Sequence, residues 1–420
     1  MVYVFSNAWA LLLGILLLML GNGMQTSLLA VRGDLENFSA STMSIIMSGY
    51  FVGFLFGSRL APVLIHRVGH VRVFAAMASL ISAAFILFAA IPDPIAWTVL
   101  RIVVGLGFSC VYVVAESWLN EVSTNETRGQ ALSAYLVIQM VGIVSAQVLL
   151  AYGDATGYVL FVLMSVLVSV SFLPILLSVN AAPHHDHSKR MTIRQLVEAS
   201  PLGAFGALIL GGLFAVQFAM APVYATTVGL PVEDLASFVS SIFVGGMVSQ
   251  YPIGWLSDRL DRRLLIIGGA AVGAAIMFIG SAYATASFPL LLAMGFMMGA
   301  ITNPLYSLIL AYVNDYLPAE DMASASSGLI FLNGLGAVAG PIPAGWLMSR
   351  VGPIGFFWFS GALFGAIAVF ALVRATLNPV RDVEAETAYA PLGPEFTAVA
   401  TDLAQEFAED QSGEDVEDAV

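Results

Sequence analysis

The chain has 420 residues, of which 59% are apolar and 10% charged; soluble globular proteins carry about 25% charge, so a water-soluble enzyme is excluded. The net charge of −13 collects at one end: residues 376–420 hold twelve of the 28 acids and one of the 15 bases, leaving 16 acids against 14 bases elsewhere. No nucleic-acid partner fits that balance, and the lone cysteine, Cys110, excludes an internal disulfide and a cysteine-built metal site.

A transmembrane helix needs roughly 20 apolar residues. Twelve such windows are predicted, at about 8–30, 42–65, 71–91, 95–119, 130–151, 157–179, 201–223, 235–256, 264–284, 288–312, 323–347 and 354–375. The first lacks a basic flank and a small-residue cleavage site, so it reads as a span and not as a signal peptide. With the N-terminus inside, eleven loop Lys and Arg residues fall on the inner side, and only Arg32 and Arg350 on the outer. That bias predicts cytoplasmic termini in a multi-pass protein of the cell inner membrane. Trp9, Trp97 and Trp255, near span ends, read as interface anchors.

The spans group as six plus six. Residues 1–179 are expected to form one bundle, 180–200 a cytoplasmic linker, 201–375 a second bundle, and 376–420 an acidic, disordered tail. The linker carries His184, His185 and His187, which reads as a solvated stretch ahead of a metal site, and a short surface helix at Ile193–Ala199. A weak internal repeat supports the division. Gln25 and Gly53 fall on Gln217 and Gly245 at an offset of 192; Gly105, Tyr112 and Asn120 fall on Gly299, Tyr306 and Asn314 at 194.

The stretch Gly254-Trp-Leu-Ser-Asp258-Arg259-Leu-Asp261-Arg262-Arg263, between spans 8 and 9, resembles the loop motif G-x-x-x-D-R-x-G-R-R of the major facilitator superfamily. Arg101-x-x-x-Gly105 in span 4 resembles that family's R-x-x-x-G pattern, and the whole is similar to a bacterial permease or efflux-like branch. The resemblance implies an all-α membrane fold of 12 transmembrane helices in two pseudo-symmetric six-helix bundles. It also implies that Asp258 docks near the start of the fifth helix and locks the cytoplasmic side, with Arg259, Arg262 and Arg263 in the same gate. The first-half copy of the motif departs from the pattern, with Pro62 for glycine and His66 for aspartate. A swapped polarity is the expectation there: His66 or Arg67 faces Glu320 and Asp321 at the start of span 11. Span 5 lacks the exporters' Gly-Pro pair, while span 11 carries Gly336-x-x-x-Gly340-Pro341 and span 2 carries Gly49, Gly53 and Gly57. Because helices 2 and 11 meet across the family's domain interface, these glycine faces are expected to form a sliding contact.

Charge within a bilayer costs about 2.5–3.5 kcal/mol per side chain and marks a functional candidate by default. Three clear cases occur: Arg59, Arg101 and Glu116. Arg59 and Glu116 lie at similar depth, so they either form an ion pair or leave Glu116 as a proton-coupling or substrate carboxylate. Asn22, Gln25, Arg101 and Gln217 are expected to share one polar layer of the central cavity, as substrate ligands or as a hydrogen-bonded network. Tyr112, Asn303 and Tyr306 are further cavity candidates, and Asn303-Pro304 suggests a bend.

These readings converge on a secondary transporter that moves a small organic solute by alternating access, neutral or anionic solutes being favoured by two arginines against one glutamate. No nucleotide-binding loop occurs, so coupling to protons is expected, with no cofactor, no metal and no catalytic residues. A drug or metabolite efflux antiporter is the alternative within the class. Outside it stands a non-transporting sensor or assembly factor that engages a protein partner through its tail, where Phe396, Val399, Leu403 and Phe407 recur at helical spacing.

Overall fold

The computed structural model describes residues 2–122, 128–176, 193–284, 287–317, 319–377, 397 and 399–401. Twelve helical segments follow the predicted spans: α1 (Val2–Leu35), α2 (Ala40–Val68), α3 (His70–Ala90), α4 (Pro94–Val122), α5 (Arg128–Tyr152) and α6 (Val159–Ser171, then Leu173–Leu176) form the first half. The second half holds α7 (Pro201–Thr227), α8 (Val232–Ser257), α9 (Arg262–Ser281), α10 (Phe288–Asn314), α11 (Ala319–Ala339, then Pro341–Val351) and α12 (Gly355–Leu377). Among the described residues, eleven helices are long and apolar enough to cross a bilayer. The sixth is interrupted at Phe172, two residues before Pro174, which lacks an N–H and crowds the carbonyl of Val170.

Proline also shapes α7 and α11. Pro222 cannot donate to Phe218, and Val216–Met220 widens into a π-helical turn just before it. Helix α11 breaks at Gly340-Pro341. By contrast α10 runs unbroken through Pro304, so the bend expected there takes no form of a helix break.

Glycines set the framework. A Cβ on Gly53 would meet the Ile102 carbonyl carbon at 2.7 Å and the Leu106 nitrogen at 2.8 Å, and Gly105 lies equally close to the Tyr50 backbone. Helices α2 and α4 therefore cross backbone to backbone. Gly245 on Phe296 and Gly299 on Ile242 repeat that crossing between α8 and α10. Gly23 against Ile143 in α5, and Gly211 and Gly336 between α7 and α11, build a second matched pair. Small residues are how helices approach closely in lipid, where no hydrophobic force draws them together. Four of the repeat residues, Gly53, Gly105, Gly245 and Gly299, make these crossings.

This corrects one expectation. Gly49, Gly53 and Gly57 face α4 of their own half, and Gly336 and Gly340 face α7 of theirs; they fix bundles internally instead of sliding between them. The halves do meet through α2 and α11, but at other residues. The Ser41 hydroxyl donates to Ser349 Oγ at 2.8 Å and its backbone N–H does so at 3.1 Å. Gly345 sits on Ala40 and Ser44, Leu55 on Gly334, and the Arg59 guanidinium over the Phe331 ring at 4.4 Å. The first two contacts close the face of the molecule opposite the linker, Leu55 and Gly334 meet near the middle of their helices, and α1 meets α7 at that closed face through Ala221–Thr227.

Trp97 is a second correction. It is fully buried, donates its indole N–H to the Phe88 carbonyl at 3.0 Å and packs edge-on to Phe38 and Phe88, so it is a core residue and no interface anchor. Trp9 and Trp255 are exposed. The short helix Ile193–Ala199 forms as expected, with Leu196 buried against Gly328. The histidines before it lie outside the described residues.

Candidate functional site

Three predicted site residues form a buried chain of hydrogen bonds. Gln25 Nε2 donates to Asn22 Oδ1 at 2.6 Å, and Asn22 Nδ2 donates to the Tyr112 hydroxyl at 2.9 Å. One turn of α1 spaces Asn22 from Gln25, and α4 supplies the tyrosine. Gln147 was not anticipated as a partner: it accepts from Ser27 at 2.9 Å and donates to the Gly23 carbonyl at 2.7 Å, tying α1 to α5.

Arg101 stands apart from that chain. It lies eleven residues before Tyr112 in α4, roughly 16 Å along the axis. Between them the rings of Tyr50, Phe54, Phe108 and Tyr112 pack at centroid distances of 5.9–6.3 Å. The expected single polar layer is therefore two polar groups with an aromatic cluster between them. Arg101 is 0% exposed, and its guanidinium carbon sits 4.9 Å from the Tyr50 ring. None of its three side-chain nitrogens has a hydrogen-bond partner among the described residues. Tyr50 in turn packs against Phe218 of α7 at 6.0 Å, next to Gln217, whose Nε2 is also buried without a partner on the π turn. Gln25 Oε1, Thr26 Oγ1 and Ser48 Oγ are left open as well. Buried polar groups are nearly always paired; among the described residues these orphans come from α1, α2, α4 and α7.

Glu116, 0% exposed on α4, corrects the expected ion pair. Equal depth does not fix azimuth, and Arg59 points to Phe331 across the inter-half contact instead. The carboxylate of Glu116 accepts from the Tyr135 hydroxyl at 3.3 Å and from the tail: the Thr397 N–H at 3.2 and 3.3 Å, the Thr397 hydroxyl, and the Ala400 N–H at 3.3 Å. Asn303 and Tyr306 are both buried on α10, Asn303 with its amide against Gly246 of α8.

The loop motif anchors α9 to α10. Asp261, standing where the family has glycine, caps α9 by accepting from the Arg263 N–H at 2.7 Å. Arg262 pairs with Asp315 at 2.5 Å with both side chains under 10% exposed, and Arg263 donates to the Tyr316 hydroxyl at 2.7 Å. Arg259 folds back on Trp255. Asp258, His66 and Arg67 are exposed and bond to no described residue, and the side chains of Glu320, Asp321 and Arg128 lie outside the described ones. Breaking a buried ion pair by removing one partner costs about 3–5 kcal/mol. Arg262→Ala is therefore expected to lower the unfolding midpoint sharply, with much of the loss recovered in Arg262→Met/Asp315→Leu, as thermal unfolding in detergent will read.

Two pseudo-symmetric six-helix bundles, sealed to each other on one face, with unpartnered polar groups buried between them, define a membrane carrier. The description Major Facilitator Superfamily matches residues 11–249 and 203–404. The chain belongs to that superfamily and is a multi-pass membrane transporter of it. It is 26% identical over 388 residues to an uncharacterized MFS-type transporter, YcaD, of Escherichia fergusonii, covering 89% of this chain and 97% of that one. A similar transporter of Enterobacter sp. (strain 638) is 25% identical over 345 residues, 81% and 88% of the two chains. Among solved structures, the nucleoside transporter NupG superposes with a TM-score of 0.68 at 14% identity, covering 91% of this chain and all of that one. A bacterial homolog of the human lysosomal transporter Spinster, inward-facing and unoccupied, gives 0.67 at 13% identity over 97% and 98%. At such identities these likenesses show the fold.

Proposed function

We propose that the chain is a secondary carrier that moves a small neutral or anionic organic solute across the bacterial inner membrane, coupled to protons. The observation that carries the solute class is Arg101: a guanidinium fully removed from water, with five N–H donors and no acceptor. Ionised groups are not left so in a finished core, because each unpaired charge costs several kcal/mol. A carboxylate, phosphate or polyhydroxyl solute supplies the acceptors. The orphaned Gln217 amide, next to Phe218 on the far side of the Tyr50 ring, would add recognition from the other half.

Charge counting places the linker face in the cytoplasm, so the closed face is the outer one and the state described is inward-facing. Alternating access then requires Ser41 and Ser349 to part in every cycle. In a Cys110→Ser background, oxidised Ser41→Cys/Ser349→Cys is expected to lose transport completely and regain it on reduction; full activity of the oxidised form, with the disulfide verified, refutes this cycle.

The solute class is tested by thermal unfolding of detergent-purified protein against small metabolites and cationic drugs. A ligand at a hundredfold excess over its dissociation constant stabilises by about 2.7 kcal/mol. An anionic or neutral hit that vanishes in Arg101→Ala supports the proposal. A cationic hit that vanishes in Glu116→Gln replaces it with the efflux reading.

A further inference from the structure

We infer that the region around Glu116 is a peptide-binding site whose occupant is this chain's own segment Thr397–Thr401, so that solute reaches Glu116 only when the tail withdraws. The inference rests on the carrier reading for what passes that way, and on geometry for the docking itself. The contact joins residues 281 apart in the chain, and Thr397, Val399, Ala400 and Thr401 are all under 10% exposed.

The chemistry is that of a helix cap supplied from outside. The first turn of a helix leaves its N–H groups without intrahelical partners, and an anion placed there is favoured. Glu116 takes the N–H of Thr397, the N–H of Ala400 and the Thr397 hydroxyl together. Without the tail its one hydrogen bond from a described side chain is that from Tyr135.

The tail sequence suits the task. Although the tail is acidic, residues 396–401 carry no charge between Glu395 and Asp402, so this stretch can enter a buried site facing a carboxylate. Nineteen residues lie between Leu377 at the end of α12 and Thr397, enough for roughly 65 Å of extended chain, so reach imposes no strain. A carboxylate this deep cannot stay unpaired cheaply, and a neutral, hydroxyl-bearing solute therefore competes with the tail for this acceptor.

The test places a reporter on the tail of the full-length protein: Thr401→Cys in a Cys110→Ser background, labelled with a water-soluble maleimide in detergent. Thr397→Glu sets a like charge against Glu116 and is expected to release the segment. Thr397→Ser keeps the hydroxyl and is expected to hold it. Labelling with Thr397 or Ser at that position should be at least about tenfold slower than in the Thr397→Glu background, the factor that ~1.4 kcal/mol of docking free energy imposes on the open population. Equal rates in the two backgrounds overturn the inference, whether both are fast (no docking) or both slow (burial that does not depend on Glu116). The labelling needs no solute, so its failure leaves the carrier proposal standing, and a failed ligand screen leaves the docking result standing.

Discussion

Arg101→Met is expected to make the empty protein more stable and the carrier inactive. Two effects oppose each other at this position. Each buried donor without a partner costs about 1–3 kcal/mol, and the guanidinium has three nitrogens in that condition. Its stacking on Tyr50 at 4.9 Å returns about 2 kcal/mol when desolvated. Desolvation wins, so a methionine of similar length, which fills the space along Gly49 and keeps contact with the Tyr50 ring, removes more cost than benefit. Replacing buried charge by well-packed apolar side chains has stabilised other proteins by about 1–4 kcal/mol, which shifts an unfolding midpoint upward by several degrees.

The loss of function has a separate size. Truncating one partner of a buried charge pair costs about 2–5 kcal/mol of binding, so affinity for the solute is expected to fall at least about thirtyfold by the usual conversion. Arg101→Lys keeps the charge but not the planar fork and is expected to lie between the two. If Arg101→Met lowers the midpoint as a core truncation does, Arg101 is a structural residue and the anion site is wrong. Stability gained where activity is lost is the signature of a site held ready for something else.

What the sequence made legible, and what it did not, follows from the range of the interactions. Spans came through because hydropathy is local, and the repeat came through because Gly53, Gly105, Gly245 and Gly299 each do a job no other residue fits. Prolines 174, 222 and 341 were visible too, but a hydropathy window does not register the break at Phe172, the π turn at Val216–Met220 or the break at Gly340. The Arg59–Glu116 pairing failed for a different reason: depth can be counted along a helix, whereas azimuth depends on crossing geometry. Trp97 was misplaced because a position near a span end says nothing about which neighbours cover it. Acidity alone predicts an unstructured tail, and the spacing of Phe396, Val399, Leu403 and Phe407 names no target for it. Its uncharged gap at 396–401 was in plain view, and only the folded chain brings it to Glu116.

The largest stability effect is expected at the α2–α4 crossing, and the contrast with two other glycines makes it a test of mechanism. At Gly53 even a methyl group meets backbone atoms of Ile102 and Leu106, which have no rotamer to escape into. The helices must separate along their length, losing the packing that α2 and α4 share, so Gly53→Ala is expected to destabilise by more than about 4 kcal/mol, a size reserved for named core lesions, and to leave little folded protein after extraction. Gly268, on α9, has nothing within 4 Å of its Cβ position, and Gly268→Ala is expected to be neutral or to stabilise by up to about 1 kcal/mol through helix propensity. Gly345 gives the telling case. It too is closely pressed, by the Ser44 Cβ and by the Ala40 carbonyl oxygen at 2.6 Å, but its neighbours belong to the other half of the molecule. The bundles can part there without unfolding. Gly345→Ala is therefore expected to keep its midpoint within about 1 kcal/mol of wild type, as a substitution outside any bundle core does, while a Ser41→Cys reporter in the same seal labels faster with a water-soluble maleimide. Unfolding of Gly345→Ala to the same degree as Gly53→Ala would mean that the seal between halves is part of the folded core, and the rocking of one bundle against the other would lose its hinge.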